Sequence, residues 1–557
     1  MKKNIFELND CRQSEKINFQ KKIEKEKKEA EIIQGMRAEE VKDSLIKIGL
    51  EKEALAFEKV KFFSKEIEKA GGRAFLVGGA VRDELLGEVP KDFDVEVYGL
   101  EPGKIQKIAS KFFQKAKDVG VSFGILKVRT DEEVDIDISL PRKESKIGRG
   151  HKDFAVNSDP FMSLKEASRR RDFTFNALMK DVVSGEIYDF FGGIKDIQNR
   201  ILRVTDEERF KDDPLRVLRG AQFVGRFGLK VEDRTAGIMR EIRDELEFLA
   251  KERIKEEWLK LFLKSEKPSL GLQAAMEWGI FHKLHPELVD LLKTPQDSKW
   301  HPEGNVWIHT LMVVDEAAKI IRERKIQDKD AIVIMLAAFC HDFGKPYTTI
   351  KKDNSIVSPG HEKAGEIPTK KFLSQIGIPL ALQKKIINLV TNHLKPTLLY
   401  ESELRGEKVS DGAIRKLARR IFPATIEELV LVSQADQQGR GPFINSHESG
   451  KCFITLDYPT GKWLLERANK IGVYKEKPKP IIMGRDLINL GFQPGVLFGK
   501  VISLAEELSV AGLNREEILL KITQKKGEPL EEVIKTLRKL LAEKKKKKKK
   551  KKSKKRK

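Results

Sequence analysis

Along the chain, apolar positions change their spacing near residue 205, and the change separates a mixed segment from a helical one. Before it, apolar and polar residues alternate in short runs, the period of a half-buried strand. Phe75-Leu76-Val77 begins one run and Asp92-Phe93-Asp94-Val95-Glu96-Val97 is a second. Val119 to Arg129 and Val134 to Leu140 are the third and fourth. Helical patterns lie between them: an amphipathic stretch from Ser44 to Ala70, a short one carrying Arg82 and Asp83 that stops at Gly87, and Pro102 to Lys117. Beyond residue 205 the helical period dominates. One helix opens at Asp212-Asp213-Pro214, with proline suited to a first turn. Leu246 to Leu263 is strongly amphipathic, and Ala331 to Cys340 is apolar throughout. The pattern predicts a multidomain protein: an α+β head on a mixed sheet with helices, then an all-α remainder.

Two stretches lack periodicity. Residues 141–160 mix turn formers with basic residues and read as an irregular, mobile loop. Residues 1–48 are densely charged with little apolar face and read as a partly helical extension.

Size and charge narrow the picture further. At 557 residues the chain needs several domains, and 40% hydrophobic content supplies their cores. No apolar run is long enough to span a membrane, so no membrane partner is expected. Three scattered cysteines without a CxxC fit a reducing, cytoplasmic setting. The net charge is +22, and residues 544–557 alone carry 13 Lys or Arg, leaving 22 − 13 = +9 for the body. The lysine run repels itself and is expected to be disordered, with a salt-dependent attraction to RNA phosphates.

Candidate chemistry begins at Gly78-Gly79. Paired glycines after a strand allow a tight turn and close approach of backbone N–H groups to a ligand. In the next strand Asp92 and Asp94 share one face, with Phe93 and Val95 turned inward. Adjacent carboxylates repel unless a cation lies between them, and an all-oxygen set favours Mg²⁺. The later strand repeats the alternation, offering Asp137, with Asp135 as the alternative. Arg170-Arg171-Asp172 supplies guanidinium forks for phosphates, and Asp172 and Asn176, four apart, are expected on one helical face. Asp213 and Arg216, three apart, offer acceptors and donors together, or a plain intrahelical ion pair.

The order of these motifs resembles the class II tRNA nucleotidyltransferase and bacterial poly(A) polymerase superfamily, over roughly residues 50–525. The resemblance implies template-independent addition of CCA to tRNA 3′ ends from CTP and ATP. It implies Asp92, Asp94 and Asp137 as catalytic Mg²⁺ ligands, Asp137 being favoured because Arg142 follows it. It further implies Gly78, Gly79 and Arg82 at the triphosphate, Arg171, Asp172 and Asn176 at the ribose, Asp213 and Arg216 at the base, and Arg219 as a further nucleotide-binding residue. The base-reading motif is Asp-Asp here where the family has Glu-Asp, and Gln222 stands where bacterial relatives often carry Arg. The 141–160 stretch resembles the flexible loop of full CCA-adding enzymes.

A second constellation lies downstream. His309 sits in a helical pattern, His341-Asp342 ends the apolar helix, and His361, His393 and Asp436 follow. Imidazoles and carboxylates converging from separate helices form a metal-site pattern. It resembles the HD-superfamily phosphohydrolases, which implies His309, His341, Asp342 and Asp436 as ligands of a divalent metal, His361 and His393 as additional positions, Lys345 at a substrate phosphate, and phosphoester hydrolysis. The expected domains are the extension (1–48), head (49–205), neck and body (206–300), HD domain (301–450), helical tail (451–543) and lysine tail (544–557). A poly(A) polymerase is the close rival. A rival of another class is an HD phosphohydrolase whose head only binds RNA, against which the head carboxylates argue.

Overall fold

The computed structural model describes residues 21–90, 93–117, 125–146, 154–440, 458–475 and 479–554. They fall into two compact units, one of Met1–Glu257 with Leu270–Leu284, the other of Trp258–Ser269 with His285–Lys557. The first is the mixed head with its following helices, and the described residues of the second are helical apart from one short hairpin.

The head is built on a sheet of eight strands. In chain order these are β1 (Glu31–Gln34), β2 (Arg73–Val77), β3 (Asp94–Tyr98), β4 (Gln114–Lys117), β5 (Ile125–Arg129), β6 (Asp135–Ser139), then, after the hairpin strands β7 (Arg142–Lys146) and β8 (Phe154–Ser158), β9 (Met179–Asp181) and β10 (Glu186–Asp189). Across the sheet the order is β1-β10-β9-β2-β3-β6-β5-β4. The β3–β6 pair is parallel and its neighbours are antiparallel. Alternation decides which residues meet. Leu76, Val95, Val97, Ile136 and Ile138 face helices α1 (Ala38–Lys47) and α2 (Glu51–Lys69), whose Val41, Leu45, Phe57, Val60 and Phe63 complete that core. On the opposite face Phe75 meets Tyr98 and Tyr188 edge-on at 5.5 and 5.7 Å.

Several expectations change in three dimensions. The helix expected from Ser44 to Ala70 is two helices, divided by Gly49 at φ 78°. The Pro102–Lys117 stretch is helical only over Pro102–Ala109, and its end becomes edge strand β4, because β5 offers backbone groups that Gln114–Lys117 can pair. The irregular loop of residues 141–160 is in part the antiparallel β7–β8 hairpin, with Arg142 opposite Ser158; residues 147–153 lie outside the described residues. Residues 170–178 are a bend and a 3₁₀ turn (Thr174–Asn176), not a helix. The described part of the charged extension, from residue 21, packs on the head: β1 pairs with β10, and the Val41 and Leu45 side chains are fully buried. It is tied down by Glu84 on α3 (Gly79–Leu85), which accepts from Met36 N at 2.7 Å and pairs with buried Lys180 at 2.6 Å.

Residues 246–263 split into a 3₁₀ turn (Arg243–Phe248) and a helix (Lys251–Lys264). After α4 (Leu215–Phe227), the second unit centres on α5 (Val306–Glu323), α6 (Asp328–Cys340), α7 (Leu380–Val390) and α8 (Ile426–Gln438). Every residue of α6 from Ala331 to Cys340 is buried, so this helix is enclosed by α5, α7 and α8 and ends inside the bundle. The C-terminal helix Leu530–Lys554 packs Val533, Leu537 and Leu541 into a separate small core. Its helical backbone runs on into the lysine run expected to be disordered; lysine propagates a helix well once packing has nucleated it. Among the described residues no helix is long and apolar enough to cross a membrane.

Glu84→Ala leaves Lys180 buried without its carboxylate and frees the Met36 amide. Head stability should fall by about 3 kcal/mol. Denaturation in urea measures this, and hydrogen exchange at residues 31–36 should quicken in the same variant.

Candidate active sites

The first site forms where β2 ends. Val77 is buried, and Gly78 follows at φ 68°, a conformation that a side chain disfavours, before α3 begins. A Cβ at Gly78 would meet the Arg171 guanidinium at 3.5 Å, so this cation lies over the glycine turn. On the neighbouring strand Phe93 and Val95 are buried and Asp94 is exposed, as the alternation requires. Asp94 stands opposite Asp137 in the parallel β3–β6 register. Neighbouring strands are about 4.8 Å apart, so the two carboxylates share one face at close range. Lys127 lies 3.5 Å from Asp137, and Arg171 feels the charge of Asp94. Asp135 instead points to solvent beside Arg129 at 3.2 Å. Asp92 lies outside the described residues. An acceptor-only pair on one face fits a hard divalent cation.

Glu96, two residues along the same face, was not singled out from sequence. It is buried, and it holds Arg170 at 2.8 Å and Arg171 at 3.7 Å while accepting from the Tyr98 hydroxyl at 2.5 Å. Burial alone would push Glu96 up, but the two guanidinium groups and the hydroxyl outweigh it and hold the carboxyl below its ordinary value. The only sequence signal was its place as the next member of the Asp92-Asp94 series.

The remaining predicted residues form a connected cluster. Asp172 accepts from Asn176 Nδ2 at 2.9 Å and from Arg219 Nε at 2.7 Å. Asn176 Oδ1 in turn accepts from Arg82 Nη1 at 2.8 Å. Arg82 is buried, also pairs with Asp83 at 2.6 Å, and lies over the Phe223 and Phe227 rings. Asp213 and Arg216 do not pair with each other. Asp213 meets Arg253 at 2.8 Å, and Arg216 donates to the carbonyls of Arg209 and Arg170 at 2.6 and 2.8 Å.

The second site lies where α6 ends. His309 on α5, His341-Asp342 beyond α6, His361, His393 and Asp436 on α8 are all buried. His309 Nε2 is 3.1 Å from Asp436 and 3.8 Å from Asp342 Oδ2, and His341 Nε2 is 3.1 Å from that same oxygen. The other Asp342 oxygen, Oδ1, faces His361 Nε2 at 3.2 Å, and His361 and His393 present Nε2 to each other at 3.4 Å. Among the described residues three groups able to hold an ion result: His309-His341-Asp436, Asp342-His361-His393 and, on the Nδ1 side of His309, His301-Glu303-His309. Nδ1 of His341, His361 and His393 donates to a backbone carbonyl at 2.7–2.8 Å, so each Nε2 is left as a lone pair aimed inward. Burial beside His341 pushes His393 down to about 3, keeping it neutral. His341 Nε2 and both Asp342 oxygens are buried without a hydrogen bond of acceptable angle, despite the short approaches. Such a donor set fits divalent metal. Lys345, 2.6 Å from Asp342, and Arg440, 3.9 Å from Asp436, line the same cavity.

Comparison with known proteins decides the family. Family models match three segments: a poly A polymerase head domain over residues 74–203, a probable RNA and SrmB-binding site of polymerase A over 228–292, and an HD domain over 306–436. A protein named multifunctional CCA protein from Xanthomonas campestris pv. campestris is 34% identical over 445 residues, covering 79% of this chain and 98% of its own. The chain belongs to the multifunctional CCA protein family. The fold agrees with solved CCA-adding enzymes: that of Bacillus stearothermophilus with CTP (TM-score 0.56, 21% identity, 84% of this chain and 98% of that one) and that of Thermotoga maritima with tRNA (0.52, 17%, 84% and 95%). The matched head domain covers most of the mixed sheet, and the matched HD domain covers the helices that carry the second site.

Because Glu96 has a lowered folded pKa, it stabilises the head above its ordinary value of 4.5, and that contribution is lost as pH falls through the folded value. Glu96→Gln should lower stability at pH 7 by about 3 kcal/mol and flatten the acid limb below pH 4.5. Urea titrations at a series of pH values measure both effects.

Proposed function

We propose that this protein adds or repairs the 3′-terminal CCA of tRNA, taking CTP and ATP without a nucleic-acid template, and that its second unit hydrolyses phosphoesters at a two-ion centre. The register of Asp94 with Asp137, beside the Gly78 turn and Arg171, carries the first reading.

In the head, Asp94 and Asp137, with Asp92, would hold Mg²⁺. When bound, the ions supply positive charge that acidifies the terminal 3′-hydroxyl and neutralises the departing pyrophosphate. The glycine turn lets triphosphate oxygens approach backbone N–H groups, and Arg171, held by Glu96, donates to them. Arg82 has its nitrogens engaged with Asp83 and Asn176. It acts by fixing Asn176 and, through it, Asp172, which presents its carboxylate to the ribose. Arg219 keeps Asp172 ionised, since its attraction outweighs the burial that would raise the pKa. Asp213 and Arg216, oriented by Arg253 and by two carbonyls, would read the base edge. Positive charge draws the tRNA in through its phosphates and shape rather than its sequence.

In the second unit, His309, His341, Asp342 and Asp436 would hold one ion, and Asp342, His361 and His393 a second, with Asp342 shared. The ions supply an acidified water and a Lewis acid for the phosphoryl group. Lys345 and Arg440 orient phosphate oxygens at the cavity wall.

Purified protein with tRNA lacking its 3′ end should incorporate C from CTP, then A once C is in place, and Asp94→Ala or Asp137→Ala should reduce incorporation to background. Long A tails from ATP with no C incorporation would make it a poly(A) polymerase. The two activities should separate genetically. Asp342→Asn should abolish Mn²⁺-dependent hydrolysis of bis(p-nitrophenyl) phosphate while leaving nucleotide addition unchanged, and retained hydrolysis in that variant would end the second reading.

A further inference from the structure

Glu303 has no part in the reading above, yet its side chain is only 3% exposed and lies against the second site. It sits in the turn His301-Pro302-Glu303-Gly304 that precedes α5. One carboxylate oxygen, Oε1, is 2.9 Å from His301 Nδ1 and 2.9 Å from His309 Nδ1. The two imidazole rings stand edge to face, 4.6 Å between centroids. A carboxylate can only accept, and His301 donates Nδ1–H to it. Both nitrogens of His309 face a carboxylate, Nε2 in a hydrogen bond to Asp436 at 3.1 Å and Nδ1 close to Glu303 without an acceptable hydrogen-bond angle. An ion taken by Nε2, the nitrogen directed at Asp436 and Asp342, would leave the ring proton on Nδ1, within 2.9 Å of Glu303.

His309 therefore differs from the other imidazoles of its site. His341, His361 and His393 rest their Nδ1 on neutral backbone carbonyls, and His309 rests on a charge. A carbonyl fixes the tautomer and ring plane. A carboxylate does the same and also makes the opposite nitrogen a stronger donor, because its negative charge stabilises positive charge drawn onto the ring.

We propose that Glu303 is the positioning residue of the phosphohydrolase centre: it sets the tautomer and raises the basicity of His309, and His301 holds the carboxylate in place from its other side. The proposal rests on the phosphohydrolase reading of this site. Glu303 belongs with His301 and His309 to a group able to hold an ion, but its Oε1 already faces both rings at 2.9 Å, which places it behind His309 rather than on the metal. It acts through His309, and the ion group of His309, His341 and Asp436 should depend on it more than the group built on His361 and His393.

Metal affinity tests this on the full chain stripped of metal and titrated with Co²⁺, read by equilibrium dialysis and by the visible absorption of the bound ion. Glu303→Ala should raise the Kd of one Co²⁺ by 10- to 100-fold and shift its absorption. Glu303→Gln keeps the shape and an acceptor oxygen but loses the charge, so its Kd should fall between wild type and alanine. A purely structural role predicts that glutamine behaves as wild type. Unchanged far-UV circular dichroism and unchanged nucleotide addition by the head show that each variant is folded. If Glu303→Ala and Glu303→Gln both bind Co²⁺ within twofold of wild type and with its spectrum, the proposal is wrong. If the wild-type protein itself takes up no Co²⁺ and hydrolyses no phosphodiester, the reading of the whole site fails, a result distinguishable from the first.

Discussion

Repulsion between Asp94 and Asp137 is the constraint around which the head is arranged. Two carboxylates in register on adjacent strands repel by an amount that depends steeply on their surroundings. They are kept there by packing they take no part in. Val95 and Val97 on one strand and Ile136 and Ile138 on the other are buried on the far face against α1 and α2. A slip of one residue would turn those four apolar side chains to the polar face and send the acids into the core. The hydrophobic core thus supplies the free energy that holds a repulsive pair where only cations can relieve it, and Lys127 and Arg171 are the cations the chain itself provides.

The second site meets the same problem by other means. Its carboxylates are buried, and they face imidazoles that can be neutral together with two cations at the cavity wall, Lys345 and Arg440. Backbone carbonyls take three Nδ1 protons, so the direction of each lone pair is decided by main-chain geometry rather than by side-chain freedom. The apolar helix α6 delivers His341-Asp342 to the centre of the bundle, where desolvation strengthens every interaction Asp342 makes.

The arginines show how a motif's residues divide labour once folded. From sequence, Arg170 and Arg171 read as phosphate forks, and the resemblance implies nucleotide contacts for Arg82, Arg171, Arg216 and Arg219. In the fold, Arg82 is enclosed by Asp83, Asn176 and two phenyl rings, Arg170 and Arg171 share Glu96, Arg216 is pinned to carbonyls, and Arg219 neutralises Asp172. A guanidinium with several donors can satisfy a buried acid and still present an edge to ligand, and for that reason the same residue type serves both positions.

The sequence by itself determined what depends on neighbours along the chain. Alternation around Asp94 and Asp137, the glycine turn, the apolar helix ending at His341-Asp342 and the residue types of both sites were legible, because strand and helix periods assign faces without any partner. Tertiary structure decided what depends on pairing. Gln114–Lys117 became a strand because β5 offered an open edge, residues 31–34 joined the sheet because β10 did, and a stretch read as an irregular loop closed into a hairpin. It also decided that Asp213 meets Arg253 and not Arg216, and that Glu96 and Glu303 stand behind the predicted site residues. Those contacts join positions from 6 to more than 70 residues apart, and no local period carries information about which acid a distant cation or imidazole will find.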